Sequence, residues 1–127
     1  MKIFIVDDDP ISIFLTQRSF EMEGVEASIH PFLSAEEALE MLGKASLEDL
    51  PDIIFLDLNM PGVDGWEFLE AFEQLPDVSA LEKCRTYILT SSLDTSDIAK
   101  ANESPLVKGF IHKPIGPEDI QVILQAH

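Results

Sequence analysis

Three aspartates, Asp7, Asp8 and Asp9, directly follow a short apolar run, Ile3-Phe4-Ile5-Val6. A fourth, Asp57, stands at the end of a second such run, Ile53-Ile54-Phe55-Leu56. Thr90 closes Tyr87-Ile88-Leu89, and Lys113 lies just past Val107 to Ile111. Carboxylates brought within a few Å of one another repel, which raises the pKa of at least one unless a cation sits between them. A hard divalent ion with oxygen ligands relieves that repulsion, and Mg²⁺ or Mn²⁺ suits an incomplete acidic cage. A lysine adds a compact positive charge opposite such an ion, and a threonine adds a hydroxyl donor. Together these groups could neutralise the equatorial oxygens of a transferring phosphoryl group, chemistry that depends on positioning and charge more than on covalent help. A carboxylate can itself be the nucleophile. Asp57 suits that role, alone at the end of a central strand, while Asp7 and Asp8 hold the metal from a neighbouring strand.

The elements that must bring these residues together alternate along the chain. The solid apolar runs have the pattern of strands buried on both faces. After the first, Pro10 opens a helix that carries Ile11, Phe14, Leu15 and Met22 on one side, and Gly24 stops it. Val25 to His30 is more polar and is expected as a weak strand near a sheet edge. Ser34 and Glu37 have capping-box spacing for a helix with apolar positions Ala35, Ala38, Leu39 and Leu42, which Gly43 is expected to end. Pro61-Gly62 and Asp64-Gly65 mark a loop, and Phe68, Leu69, Phe72 and Leu75 give a third stripe. The fourth helix, from about Asp94 to Asn102, has a thin stripe of Ile98, Ala99 and Ala101. Pro117 with Glu118-Asp119 starts a last helix bearing Ile120, Ile123 and Leu124.

The resulting (βα)₅ pattern implies an α/β fold, a parallel sheet covered on both faces. Ligands of such sheets bind beyond the carboxyl ends of the strands. Asp7 to Asp9, Asp57, Thr90 and Lys113 all fall at that one edge. The chain has 127 residues, enough for one domain spanning 1–127, and 46% of them are hydrophobic. Lys and Arg number 8 against 24 Asp and Glu, a formal charge of −16, which disfavours direct binding to nucleic acid or an anionic membrane. A cation or a basic protein surface fits that charge better. No apolar run approaches the roughly 20 residues of a membrane span, and no signal peptide is visible, so a cytoplasmic location is expected. The last helix is short enough to allow truncation at the C-terminus.

Four ordered stretches resemble the receiver domain of two-component response regulators, in its chemotaxis-regulator-like, single-domain form. They are Ile5-Val6-Asp7-Asp8-Asp9-Pro10, Phe55 through Gly65, Leu89-Thr90-Ser91-Ser92, and Phe110-Ile111-His112-Lys113-Pro114. The resemblance covers essentially the whole chain. It implies a flavodoxin-like five-stranded sheet of order 2-1-3-4-5. It makes Asp57 the phosphoacceptor, with Thr90 and Lys113 completing the catalytic set. The metal would be Mg²⁺, with Mn²⁺ as the other candidate, bound directly by Asp8, Asp57 and the backbone carbonyl of Asn59, and by Asp7 through water. Lys113 would pair with phosphoryl oxygens, and its bond to Pro114 is commonly cis in the family. Thr90 and Phe110 would form the switch. Small Ser91 leaves the acceptor accessible, and Asn59 and Ser92 occupy the variable positions that gate attacking water. Phe110 stands where tyrosine is frequent in the family and brings no phenol hydroxyl to the switch.

The implied function is to take a phosphoryl group from a sensor histidine kinase or histidine phosphotransfer protein and to switch a surface toward a downstream protein, with a homodimer also open. Asp57 would be modified by self-catalysed gain and loss of phosphate, without turnover of an external substrate. Two other classes share parts of the pattern. A Mg²⁺-dependent phosphohydrolase with an aspartyl nucleophile would use the two-residue spacing of Asp7 and Asp9. A receiver-like binding module would work without phosphorylation. Simpler roles suit the remaining residues. Asp9 caps the first helix, and Cys84 is a small structural thiol. Trp66, Phe68, Leu69 and Phe72 pack, and His30, His112 and His127 lack ligand-like spacing. The thin fourth helix is expected to be weakly anchored and able to shift with Thr90.

Overall fold

The computed structural model describes residues 1–75, 82–92 and 94–126; His127 lies outside them. Five strands, β1 (Lys2–Val6), β2 (Ser28–Phe32), β3 (Ile53–Leu56), β4 (Arg85–Thr90) and β5 (Val107–His112), form one sheet in the order β2-β1-β3-β4-β5. All neighbouring pairs are parallel. Among the described residues, the helices that follow the strands in turn are α1 (Pro10–Met22), α2 (Ala35–Lys44), α3 (Gly65–Glu73), α4 (Thr95–Glu103) and α5 (Pro117–Ala126), with a short 3-10 turn at Leu47–Asp49. This is the doubly covered (βα)₅ arrangement and strand order expected above.

The solid runs divide by parity, as side chains of a strand must. Phe4, Val6, Ile54 and Leu56 face α2 and α3, where Ala38, Leu42, Phe68 and Phe72 meet them. Ile3, Ile5, Ile53, Phe55, Tyr87 and Leu89 face the other way, toward Ile13, Phe20, Ile120 and Ile123 of α1 and α5. Burying each such aromatic contributes about 1.5–3 kcal/mol. A third, smaller cluster of Leu58, Ile88 and Ala101 lies under α4, with Trp66, Val107 and Phe110 packed around it.

Four expectations change. The apolar side of α1 picked out by the sequence is not the buried one. Ile11, Phe14, Leu15 and Met22 are 69%, 60%, 50% and 75% exposed. The helix instead buries Ser12, Ile13, Thr16 and Phe20. The Thr16 hydroxyl tolerates burial because it donates to the Ser12 carbonyl, 2.9 Å away, and the half-buried Ser19 donates to the carbonyls of Leu15 and Ile115. The edge strand β2 begins three residues later than the polar stretch suggested, because its register is set by pairing Ser28 to Phe32 with Lys2 to Val6. Gly43 lies inside α2, which ends at Ala45, whose N–H donates to the Met41 carbonyl, rather than at a glycine cap. At Ser34 the side chain accepts from Glu37 N–H, but the reciprocal capping box is seen at α3, between Asp64 and Glu67.

Two local features aim the β3–α3 loop. Gly62 adopts φ +77°, a left-handed conformation that suits glycine, and Glu36 of α2 accepts from the next residue's N–H, Val63. No helix among the described residues is long and apolar enough to cross a membrane.

Candidate functional site

Register brings the chemistry together. Val6 pairs with Leu56, so the residues that follow them, Asp7 and Asp57, emerge side by side, tied by the hydrogen bond from Asp57 N–H to Val6 O. At the other side of β4, Thr90 pairs with His112, and Lys113 N–H donates to Thr90 O at 2.8 Å. The Lys113–Pro114 bond is cis, as the resemblance suggested.

The carboxylates of Asp7, Asp8 and Asp57 offer oxygens that all lie within 4.8 Å of one another. Asp7 and Asp57 are buried and Asp8 is exposed. The Lys113 ammonium sits 2.7 Å from Asp7 Oδ2 and 3.5 Å from Asp57 Oδ2. Asp7 is thus engaged at both oxygens, because Oδ1 accepts from Asp9 N–H at 3.0 Å. Asp9 itself turns away and caps α1, accepting from Ile11 N–H. That leaves it out of the cluster and removes the Asp7/Asp9 pair required by the hydrolase alternative. Asn59 is exposed beside the cluster, Thr90 is fully buried at its floor, and Ser91 is exposed.

Burial pushes the Asp57 carboxyl above the ordinary aspartate range. The neighbouring Asp7 charge pushes the same way, while Lys113, the Thr90 hydroxyl and the Asn59 backbone oppose it. The sign for stability follows. The native state holds this proton more tightly than the unfolded chain, so the cost of ionisation is absent in acid and grows as pH rises from the ordinary aspartate value through the raised native one. Asp57→Asn is therefore expected to melt higher than the parent near neutrality in EDTA. In acid the difference should disappear. Melts of both proteins across pH would show it, and a parent more stable than the variant at neutral pH would contradict the sign.

The donor set fits a hard divalent cation: three carboxylates of a cluster with one lysine, one carboxylate exposed, and a buried one that resists ionisation without a countercharge. Beside it, a groove of about 350 Å³ runs between α1 and the loop after β5, lined by Ile11, Leu15, Thr16, Lys113 and Ile115. Ile11 and Leu15, from the exposed apolar face of α1, are part of one wall of that groove. Sequence reasoning put Ile11 and Leu15 on one apolar side of this helix, and periodicity locates such a face without saying what covers it.

A model of the response regulator receiver domain matches residues 3–125. The chain belongs to the response regulator receiver domain family. A receiver protein from Dyadobacter fermentans DSM 18053 has the same fold, with TM-score 0.88 and 30% identity over 99% of this chain and 96% of that one. A two-component response regulator from Cytophaga hutchinsonii gives TM-score 0.88 and 31% identity, covering 98% and 94%. In sequence, hybrid signal transduction histidine kinase C of Dictyostelium discoideum is 33% identical over 98% of this chain, which spans 10% of that kinase's length. Receiver domains as a family bind Mg²⁺ and carry phosphate on an aspartate.

Beyond the expected set, the receiver domain shows polar contacts that sequence reasoning missed. Trp66 Nε1 donates to Asp97 at 3.3 Å, and Ser92 Oγ donates to the same carboxylate at 2.8 Å. Trp66 reads in sequence as ordinary packing, and Asp97 as one acid of a helix's first turn. Phe110 is partly buried against the cluster under α4. Cys84 is buried and its thiol is pushed up to about 12, in keeping with a structural role.

Proposed function

We propose that this receiver domain takes a phosphoryl group from a phosphohistidine onto Asp57 and so changes a surface read by a downstream protein. The observation that carries the reading is the Asp7–Asp8–Asp57 cluster held against Lys113 at the carboxyl edge of the sheet. An Asp57 carboxylate oxygen would attack phosphorus as the bond to the donor nitrogen breaks, leaving neutral histidine once that nitrogen is protonated. Hydrolysis would later place water on phosphorus, release inorganic phosphate and return the carboxylate. Lys113, 3.5 Å from the acceptor, stabilises negative charge on the transferring oxygens, and Thr90 supplies a hydroxyl from the floor. Asp8, Asp57 and the Asn59 carbonyl would hold Mg²⁺ directly, or Mn²⁺ in its place. Asp7, with both oxygens engaged, would act through water. The ion would supply charge neutralisation between carboxylates and phosphate.

The groove beside α1 suits the donor, because a protein resting on Ile11 and Leu15 stands next to Lys113 and the acceptor. Exposed small Ser91 on the groove's other wall leaves the approach open. Thr90 and Phe110 are the proposed switch. On this reading the chain works in the cytoplasm, modifies only itself, and meets a histidine kinase or histidine phosphotransfer protein.

Incubation with Mg²⁺ and acetyl phosphate, followed by intact-mass measurement, tests it. One phosphoryl adduct is expected, lost in EDTA and in Asp57→Asn. If neither an adduct nor metal-dependent beryllofluoride binding appears, the acceptor role is wrong, and a phosphorylation-independent binding module takes its place.

A further inference from the structure

We propose that Asp97 is a positioning residue that latches the loop after β4 to Trp66, so that loading of Asp57 is transmitted to the outer surface of α3 and α4. The inference rests on the phosphoacceptor reading. Its basis is a continuous polar path. Thr90 Oγ1 accepts from Ser92 N–H at 3.2 Å. Ser92 Oγ in turn donates to Asp97 Oδ2 at 2.8 Å, and Asp97 Oδ1 accepts from the Trp66 indole at 3.3 Å. Lys100, one turn further along α4, places its ammonium 4.7 Å from the centre of the Trp66 ring. One carboxylate therefore joins the loop that leaves the acceptor site to a side chain of a different helix, using a separate oxygen for each.

These contacts matter because α4 has little else to hold it. Ala101 is its buried residue, while Ile98 is exposed. A helix with so small an apolar footprint is positioned largely by its polar contacts and shifts when they change. The path starts where the chemistry would act. Phosphorylation puts about two negative charges beside Thr90, and a Thr90 hydroxyl that reorients toward them moves the acceptor of the Ser92 N–H bond. Ser92 cannot follow without altering its bond to Asp97. Trp66 is also packed with Phe110 around Leu58, Ile88 and Ala101, and Leu58 is the residue after the acceptor. Coupling of this kind is reciprocal in binding free energy, so a protein that grips Trp66 and Lys100 would bind the loaded and unloaded forms with different affinities.

Trp66 is the chain's single tryptophan, so its emission reports the latch directly. The full chain in Mg²⁺ would be loaded with acetyl phosphate, with adduct read by intact mass and emission read in parallel against a Mg²⁺-only baseline. A shift in Trp66 emission that grows with the adduct is expected in the parent protein. It should be lost in Ser92→Ala, which cuts the loop arm and spares the Asp97–Trp66 bond, and in Asp97→Ala, at equal adduct. Asp97→Asn, able to accept from Trp66 while donating to Ser92, should restore it. An unchanged emission in fully loaded parent protein, or the same shift in Ser92→Ala, would overturn the latch. Absence of adduct in the parent would remove the acceptor reading and the latch with it.

Discussion

Lys113→Ala is expected to slow adduct formation from acetyl phosphate by roughly a hundredfold, the usual scale for losing one preorganised charge partner, while making Mg²⁺ bind more tightly. The two effects have opposite signs because the ammonium does two things. It faces the site where phosphoryl charge would develop, but it also sits 2.7 Å and 3.5 Å from the oxygens of Asp7 and Asp57 and repels any cation placed among them. Unit charges about 4 Å apart interact by ~1–4 kcal/mol between bulk water and a protein surface. The lower end of that range corresponds to about a fivefold gain in metal affinity. Without metal the variant should be less stable, since it leaves the nearly buried Asp7 carboxylate without its partner, a loss on the order of 3 kcal/mol. Mg²⁺ should recover much of that loss. Titration calorimetry, melts with and without EDTA, and a mass time course separate these effects. Weaker Mg²⁺ binding in Lys113→Ala would show that the lysine organises the carboxylates rather than competing with a cation.

Gly65→Ala is expected to destabilise the fold by about 1–3 kcal/mol, the range for overpacking a filled site, and to reduce phosphorylation of Asp57 as well. A Cβ on Gly65 would lie 2.6 Å from the Asp57 carbonyl oxygen and 2.9 Å from Leu58 Cα. Both are backbone atoms, so the start of α3 or the end of the acceptor segment must move. Gly65 N–H also donates to Leu58 O at 3.1 Å, which ties the same two segments. The position has no positive φ, so the effect comes from close approach and not from glycine's conformational freedom. Melts together with adduct rate decide it. A variant as stable and as rapidly phosphorylated as the parent would mean that α3 yields freely at its first turn. Gly43→Ala is the control, since its nearest neighbour would be a Leu75 methyl at 3.9 Å.

Much of this domain was legible in its amino-acid order. Fully apolar runs such as Ile53–Leu56 suit only strands covered on both faces, and alternation with helices makes the sheet parallel. Parallel strands share one carboxyl edge, so Asp7, Asp8, Asp57, Thr90 and Lys113 had to meet there once the pattern was recognised. Capping by Asp9 was also local, because the side chain needs only its own helix's N–H groups.

What only the tertiary structure decided depended on partners distant in sequence. Helix α1 carries apolar residues on more than one face, so spacing could not choose between them. Packing of Ile13 and Phe20 on the sheet, and hydrogen bonds that let Thr16 and Ser19 face inward, left Ile11, Phe14, Leu15 and Met22 outside. The start of β2 followed from its register with β1, since its own residues have a weak pattern. Gly65 looked like a turn residue until the backbone of Asp57 and Leu58 was found against it. Asp97 and Trp66 lie 31 residues apart, and no local periodicity can pair them. Sequence determines the elements and the edge at which their polar ends collect; the packed structure determines which faces remain outside and which distant side chains meet, because those outcomes depend on competition between surfaces rather than on any one segment.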